Sequence, residues 1–408
     1  MPASLPAPVQ LGSSLRECAA ADTLARALPL MPALGISRVS DITRMDRLGL
    51  PVYASIRPWG RALCVHAGKG VRPAEAEVGA LMEAVEFAAA EPARSAWARA
   101  TPSVAELVSQ LPAGLRLVDF APLYGRRVEA TQQVGSVACE WLGHTRPVLV
   151  PAELVFVPCT EPGQAPLFGW SSNGLASGNS VAEATLHALL EVLERDTLAM
   201  NRAADVSAAV DVATLPEPFC SLAAQWRALG IELGVRWLPN DLGLPCFAAW
   251  LHEPDNGNVN LAGGSGLHLQ APIALARAVC EAAQSRLSLI HGGRDDITGF
   301  YDKYRLQTAA RRRGLESQVL QRIFGRARCL AWADLPAGPA PAATLPQLLA
   351  QVLALLRGAG FGNVFRHRFA VELNGLAVVK LIVPRCEYGE HGSRRVGPRL
   401  LAQAAAHA

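Results

Sequence analysis

Three carboxylates, Glu183, Glu191 and Glu194, stand at helical spacing in the stretch SSNGLASGNSVAEATLHALLEVLERDTLAM, which runs from Ser171 to Met200 and is otherwise largely apolar. At roughly 100° per residue, Glu183, His187, Leu190, Glu191 and Glu194 fall within about 100° of one another, with Arg195 beside them. A solvated face is the ordinary explanation for aligned charges. Here Ala184, Leu186, Ala188, Leu189, Val192 and Leu193 leave little of the circumference polar, and a helix apolar nearly all round is normally buried. Buried carboxylates need partners, and the partners that serve several at once are cations: Arg, Lys or a divalent metal.

The pattern recurs twice. The segment AEAEVGALMEAVE, Ala74 to Glu86, lies over AEATLHALLEVLE, Ala182 to Glu194, without a gap, so Glu75, Glu83 and Glu86 match Glu183, Glu191 and Glu194. A third segment, ALARAVCEAAQSRL from Ala274 to Leu287, echoes the E-x-x-E step as Glu281 and Gln284, with Arg277 one turn earlier. Those three fall within about 60° on one face. Three related polar motifs on apolar bodies predict an internally duplicated α/β (α+β) architecture whose acidic helices converge on one site.

The elements around these helices follow from punctuation and alternation. Ser180 is a candidate N-cap, with Glu183 completing a capping box, and that helix is expected to reach about Met200. Pro73 opens the first acidic helix after an expected tight turn at Gly68-Lys69-Gly70. Strands are expected over 35–39, 41–43, 51–58, 62–66, 115–120, 146–156, 231–237, 246–251, 259–262, 364–371 and 377–383. Further helices are expected over 15–28, 104–111 and 345–356, with 334–344 as the best linker and Asp295-Asp296 in a loop. Neither Gly263-Gly264-Ser265-Gly266 nor Gly68-Lys69-Gly70 has the spacing of a dinucleotide loop or a P-loop.

Composition limits the alternatives. The chain has 408 residues, half of them hydrophobic, and a net charge of +3 without a dense Lys/Arg block, so a large core is affordable and nucleic acid is not indicated. Nine cysteines carry no C-x-x-C pair, which favours reduced thiols and the cytoplasm. Cys280, next to Glu281, is turned about 100° from the acidic face and is expected to be a small buried hydrophobe. No run of about 18 apolar residues predicts a membrane span.

These blocks resemble the YcaO family: GKGVRP followed by ALMEAVE, then SNGLASGNSVAEATLHALLEVLERD, then RAVCEAAQSRL and HGGRDD, in that order. The resemblance covers about Gly35 to Pro398 and implies a single large YcaO-like domain over 35–398, between an N-terminal segment (1–34) and a C-terminal tail (399–408). It further implies ATP and Mg2+ as cofactors, bound without a P-loop. Carried over residue by residue, Glu83, Glu86, Glu183, Glu191, Glu194 and Glu281 are expected to hold metal, and Asn179, Arg195, Arg277 and Gln284 the nucleotide. Phe87, Gly79 and Ala176 depart from the family, where many members carry Arg at the first and Ser is found at the other two. The implied activity is O-phosphorylation of a peptide backbone amide. The block GISRVSDITRMDRLGLPVYASIRP resembles members that accompany a TfuA-type partner and make thioamides, and the chain lacks the PxPxP tail common among azoline formers. Thioamide installation in a ribosomally made peptide or protein is therefore the first expectation, azoline-forming cyclodehydration the second, and a non-catalytic nucleotide-binding scaffold the alternative of another class. Pairing with a second copy as a homodimer stays open.

Overall fold

Each acidic helix follows directly on an edge strand of a different sheet. In the computed structural model, which describes residues 8–92, 99–160, 166–254, 260–294, 309–325, 328–388 and 394–407, strand Val65–Lys69 leads into helix Pro73–Ala90, strand Leu175–Gly178 into helix Val181–Ala203, and strand Leu261–Leu267 into helix Ala271–His291. The first of these strands closes a three-stranded sheet with Val52–Ile56 and Arg38–Asp41. The second ends a six-stranded sheet, next to Ala377–Ile382 and Phe365–Arg368, and the third ends a five-stranded sheet beside Cys246–His252 and Glu232–Trp237. The expected duplication is thus a threefold repetition of strand then helix within one mixed fold.

Glycines let each helix lie directly on its strand. A Cβ at Gly68 would stand 2.0 Å from the Ala76 carbonyl oxygen, and one at Gly264 2.3 Å from the Ala282 nitrogen. The helix rows that meet them are alanines, Ala76, Ala80 and Ala84 in the first helix and Ala274, Ala278 and Ala282 in the third, all fully buried. The glycine runs that fail as nucleotide loops are therefore strand residues that make room for a helix. The expected turn at Gly68-Lys69-Gly70 is accordingly corrected, since Gly68 and Lys69 complete the strand.

The outer helix faces build the core. Leu81 and Val85 join Phe156, Phe168 and Phe365 under the six-stranded sheet. Leu189, Val192 and Leu193 pack with Val379, Leu381 and the helix Leu345–Gly358, and Leu275, Val279 and Cys280 with Leu233, Phe247 and Trp226. Local readings were displaced where tertiary contacts intervene. Leu15–Arg16 belongs to a hairpin with Val9–Gln10, so the first helix is only Ala20–Ala27. Leu117–Phe120 is a 3-10 turn rather than a strand. The tail forms helix Pro398–Ala406, and Asp295-Asp296 lies outside the described residues. No helix among the described residues is long and apolar enough to cross a membrane.

Candidate active site

The three acidic helices line one cavity of about 600 Å3. Nine of the ten residues singled out by sequence reach its wall: Glu83, Glu86, Asn179, Glu183, Glu191, Arg195, Arg277, Glu281 and Gln284. Glu194 does not. It is buried behind the wall, accepting hydrogen bonds from Ser265 Oγ at 2.6 Å and the Leu267 N–H at 3.2 Å.

That position makes sense in the repeat. Glu86, which corresponds to Glu194, accepts from the N–H (2.7 Å) and Oγ (2.6 Å) of Ser177, on the strand of the second repeat. Glu194 of the second helix reaches Ser265 on the strand of the third. Gln284 of the third helix donates to the Ala67 carbonyl at 2.7 Å, on the strand of the first. Ser177, Ser265 and Ala67 each precede a glycine of their strand, so the second polar residue of each E-x-x-E/Q step fastens its helix to the next repeat and closes a ring. Glutamine suits the third position because Ala67 offers a carbonyl where the other strands offer a hydroxyl.

Of the first members of the steps, Glu83 and Glu191 take partners in their own repeat, whereas Glu281 reaches the other two. Ala67 N–H donates to Glu83 at 2.7 Å and Gly174 N–H to Glu191 at 3.2 Å. Glu281 pairs with Lys69 and lies 3.9 Å from Arg195. Burial raises the carboxyls of Glu83, Glu86 and Glu191, pushing Glu86 up to about 8 and Glu191 to about 7. Burial opposes ionisation of Glu281 too, but Lys69 and Arg195 outweigh it and hold this carboxyl below its ordinary value. His187, on the same wall, is kept neutral by burial and by Arg16, Arg277 and Lys69.

Glu183 is nearly enclosed. Asn179 Nδ2 donates to it at 3.1 Å, the Glu17 N–H at 2.8 Å and Arg16 at 3.1 Å. Ser180 Oγ accepts from the Glu183 N–H at 3.1 Å, so half of the expected capping box forms while the Glu183 side chain is drawn to the N-terminal segment. Asn179 Oδ1 in turn accepts from Thr23 at 3.0 Å and from Arg26. Sequence reasoning set residues before 35 apart. Arg16 and Cys18 nonetheless line the cavity, as does Lys69, whose flanking glycines lack the P-loop spacing. Arg294 of the HGGRDD block joins them. Lys69 could have been found by its place at the end of a strand that feeds an acidic helix; Arg16 gives no local signal.

The donor set can be tested against a magnesium nucleotide. Among the described residues no three His, Cys, Asp or Glu side chains gather closely enough to cage a metal by themselves. Magnesium suits such a site, since it keeps waters and is usually held by one or two carboxylates together with substrate phosphates. Arg277 has only a 3.7 Å ion pair with Glu194, and its buried Nε makes no hydrogen bond among the described residues. A guanidinium so placed fits an added polyanion. Cys280 is buried, with its thiol pushed up to about 12 by burial, which removes it as a nucleophile.

Comparison with known proteins gives the family. Residues 67–387 match the model of the YcaO cyclodehydratase family, described as ATP- and Mg2+-binding. The chain belongs to the YcaO family, and ATP and Mg2+ are its cofactors. A YcaO protein from Methanopyrus kandleri, solved bound with AMPPCP and Mg2+, is 23% identical with a TM-score of 0.74, covering 96% of this chain and 98% of that one. A heterocyclase in complex with substrate and cofactor superposes with a TM-score of 0.76 at 20% identity over 96% of this chain, which spans only 56% of the heterocyclase. An uncharacterized protein from the tfuA 3′ region of Rhizobium leguminosarum bv. trifolii is 29% identical over 90% of this chain and 87% of its own length.

Proposed function

We propose that this YcaO protein activates a peptide backbone amide for replacement of its oxygen by sulfur, giving a thioamide in a ribosomally made peptide or protein. The observation that carries the reading is the convergence of Glu83, Glu86, Glu191 and Glu281 with Arg195, Arg277 and Lys69 on one cavity. ATP, when bound, supplies the phosphoryl group that turns the amide oxygen into a leaving group, and Mg2+ neutralises the triphosphate. These carboxylates would hold Mg2+ one or two to an ion, with phosphate oxygens and water completing each shell. Glu183, on the cavity wall, would join them by exchanging a present hydrogen bond for an ion, whereas Glu194 lies behind the wall on Ser265 and Leu267. Arg195 and Arg277 bind phosphate, Gln284 keeps the third helix against the first strand, and Asn179 orients Glu183. Hydrosulfide would add to the carbonyl carbon and the carbonyl oxygen would leave on the transferred phosphoryl group as hydrogen phosphate, with ADP as the other product and the hydrosulfide proton carried off on the phosphate.

Two observations favour sulfur as the incoming atom: the block from Gly35 to Pro58, which resembles TfuA-associated members, and the relative from a tfuA 3′ region. A TfuA-like protein is accordingly the proposed partner. The free state of all nine cysteines fits the cytoplasm. Azoline formation is the second reading, favoured by the family's description as cyclodehydratases and by the likeness to a heterocyclase. Incubation of the purified protein and the TfuA-like partner with a precursor peptide, ATP, Mg2+ and sulfide separates them by mass spectrometry. Exchange of oxygen for sulfur is expected; loss of one water without sulfur gain would establish the azoline reading. A nucleotide-binding scaffold would give neither product nor phosphate release. Glu191→Gln, which keeps size and removes charge, should abolish phosphate release while leaving the fold intact; normal turnover would refute the metal assignment.

A further inference from the structure

Glu75 and Glu183 occupy the same place in the first two repeats, and both reach the same N-terminal hairpin. The Gly12 N–H donates to Glu75 Oε1 at 2.8 Å, with Ser13 Oγ 3.5 Å from Oε2. At the other end, Arg16 and the Glu17 N–H bind Glu183. The turn of the hairpin is therefore fastened to the first acidic helix and its outgoing strand to the second. Between those points Ser13, Ser14 and Arg16 face the cavity. Gly12 is required for this approach, since a Cβ there would lie 2.8 Å from the Val71 Cβ and 3.2 Å from Glu75 Oε2.

We propose that Glu75 is a positioning residue that latches the N-terminal hairpin across the nucleotide cavity, so that Ser14 and Arg16 are held against the bound nucleotide by a carboxylate that does not itself ligate metal. The inference rests on the nucleotide reading of the cavity. The third repeat carries Ile273 where the others have glutamate, consistent with a strap that spans two helices and leaves the third side to the substrate.

A latch and a metal ligand respond differently to substitution. Glutamine still accepts the Gly12 N–H but is a poor magnesium ligand. Affinity for Mg2+–AMPPCP by calorimetry should stay within about threefold for Glu75→Gln and weaken about tenfold or more for Glu75→Ala, the loss expected of one buried hydrogen bond to a charged group. Gly12→Val, which alters no carboxylate, should weaken binding as Glu75→Ala does. Amide hydrogen exchange over 8–18, measured without nucleotide, should quicken in Glu75→Ala and Gly12→Val and stay slow in Glu75→Gln. Equal loss of affinity in Glu75→Gln and Glu75→Ala with unchanged hairpin exchange would make Glu75 a metal ligand and overturn the proposal, as would wild-type affinity in both Glu75→Ala and Gly12→Val. Failure of the wild type to bind nucleotide would instead refute the reading of the cavity, while the exchange data would still decide the latch.

Discussion

At the scale of single residues, Glu86 and Glu191 titrate near neutrality because burial disfavours their charged forms more than their hydrogen bonds favour them. A carboxyl raised in the folded state contributes stability that is complete below its unfolded pKa and is lost as pH climbs through the folded one. For Glu86 that window runs from the ordinary glutamate range to about 8. Glu86→Gln removes the charge and keeps an acceptor for Ser177. Without nucleotide it should match wild type near pH 5 and exceed it by about 1–3 kcal/mol at pH 8, as read by urea unfolding. Added Mg2+–AMPPCP should reverse the order, stabilising wild type and not the variant. Arg277→Ala should weaken ATP binding about tenfold or more, because a charge-assisted phosphate contact is lost; unchanged affinity by calorimetry would reduce Arg277 to the partner of Glu194.

At the scale of elements, the decisive contact is helix against strand without intervening side chains. Gly264 lies under Ala278 and Ala282, and a methyl group there would meet backbone atoms on both. Backbone cannot rotate away as a flexible side chain can. Gly264→Ala should cost about 2–3 kcal/mol or more in stability and lift the third helix, carrying Arg277 and Glu281 off the cavity. Thermal unfolding combined with nucleotide titration checks this. Loss of stability with intact affinity would mean that the helix shifts without disturbing the site.

At the scale of the whole molecule, the C-terminal helix is tied to the back of the second acidic helix. Glu387 accepts the N–H groups of Gly397, Arg399 and Leu400, and Arg399 binds Asp196 at 2.7 Å and Asp241 at 2.8 Å. The tail set apart at 399 by sequence is therefore bound to the second acidic helix through Arg399, although none of its helix is buried. Burial holds the Asp196 carboxyl up to about 6 even with Arg399 beside it. Removing the guanidinium leaves a buried acid without its cation, so Arg399→Ala should destabilise by about 3 kcal/mol at pH 8. The loss should shrink toward pH 5, where Asp196 is protonated in the folded state, and chemical denaturation at the two pH values measures the difference. A pH-independent loss would assign the effect to lost packing of Arg399 on Phe361.

What the sequence determined by itself is periodic or local. The aligned acids of Glu183–Glu194, their repetition at Glu75–Glu86 and Glu281–Gln284, the Ser180 cap and the blocks that mark the family could all be read along the chain, because each depends on spacing within a few turns of helix. Only the tertiary structure decided that the second member of each pair also fastens its helix to another repeat. Glu86, Glu194 and Gln284 look like their neighbours in sequence, yet each binds a strand of another repeat, far away along the chain, and so serves ring closure. Arg16 was silent, and Glu75 legible only as a repeat of Glu183, for the same reason: their meaning is a hairpin brought onto two helices, and no pattern within a helix or a strand records which distant backbone N–H a buried carboxylate will meet.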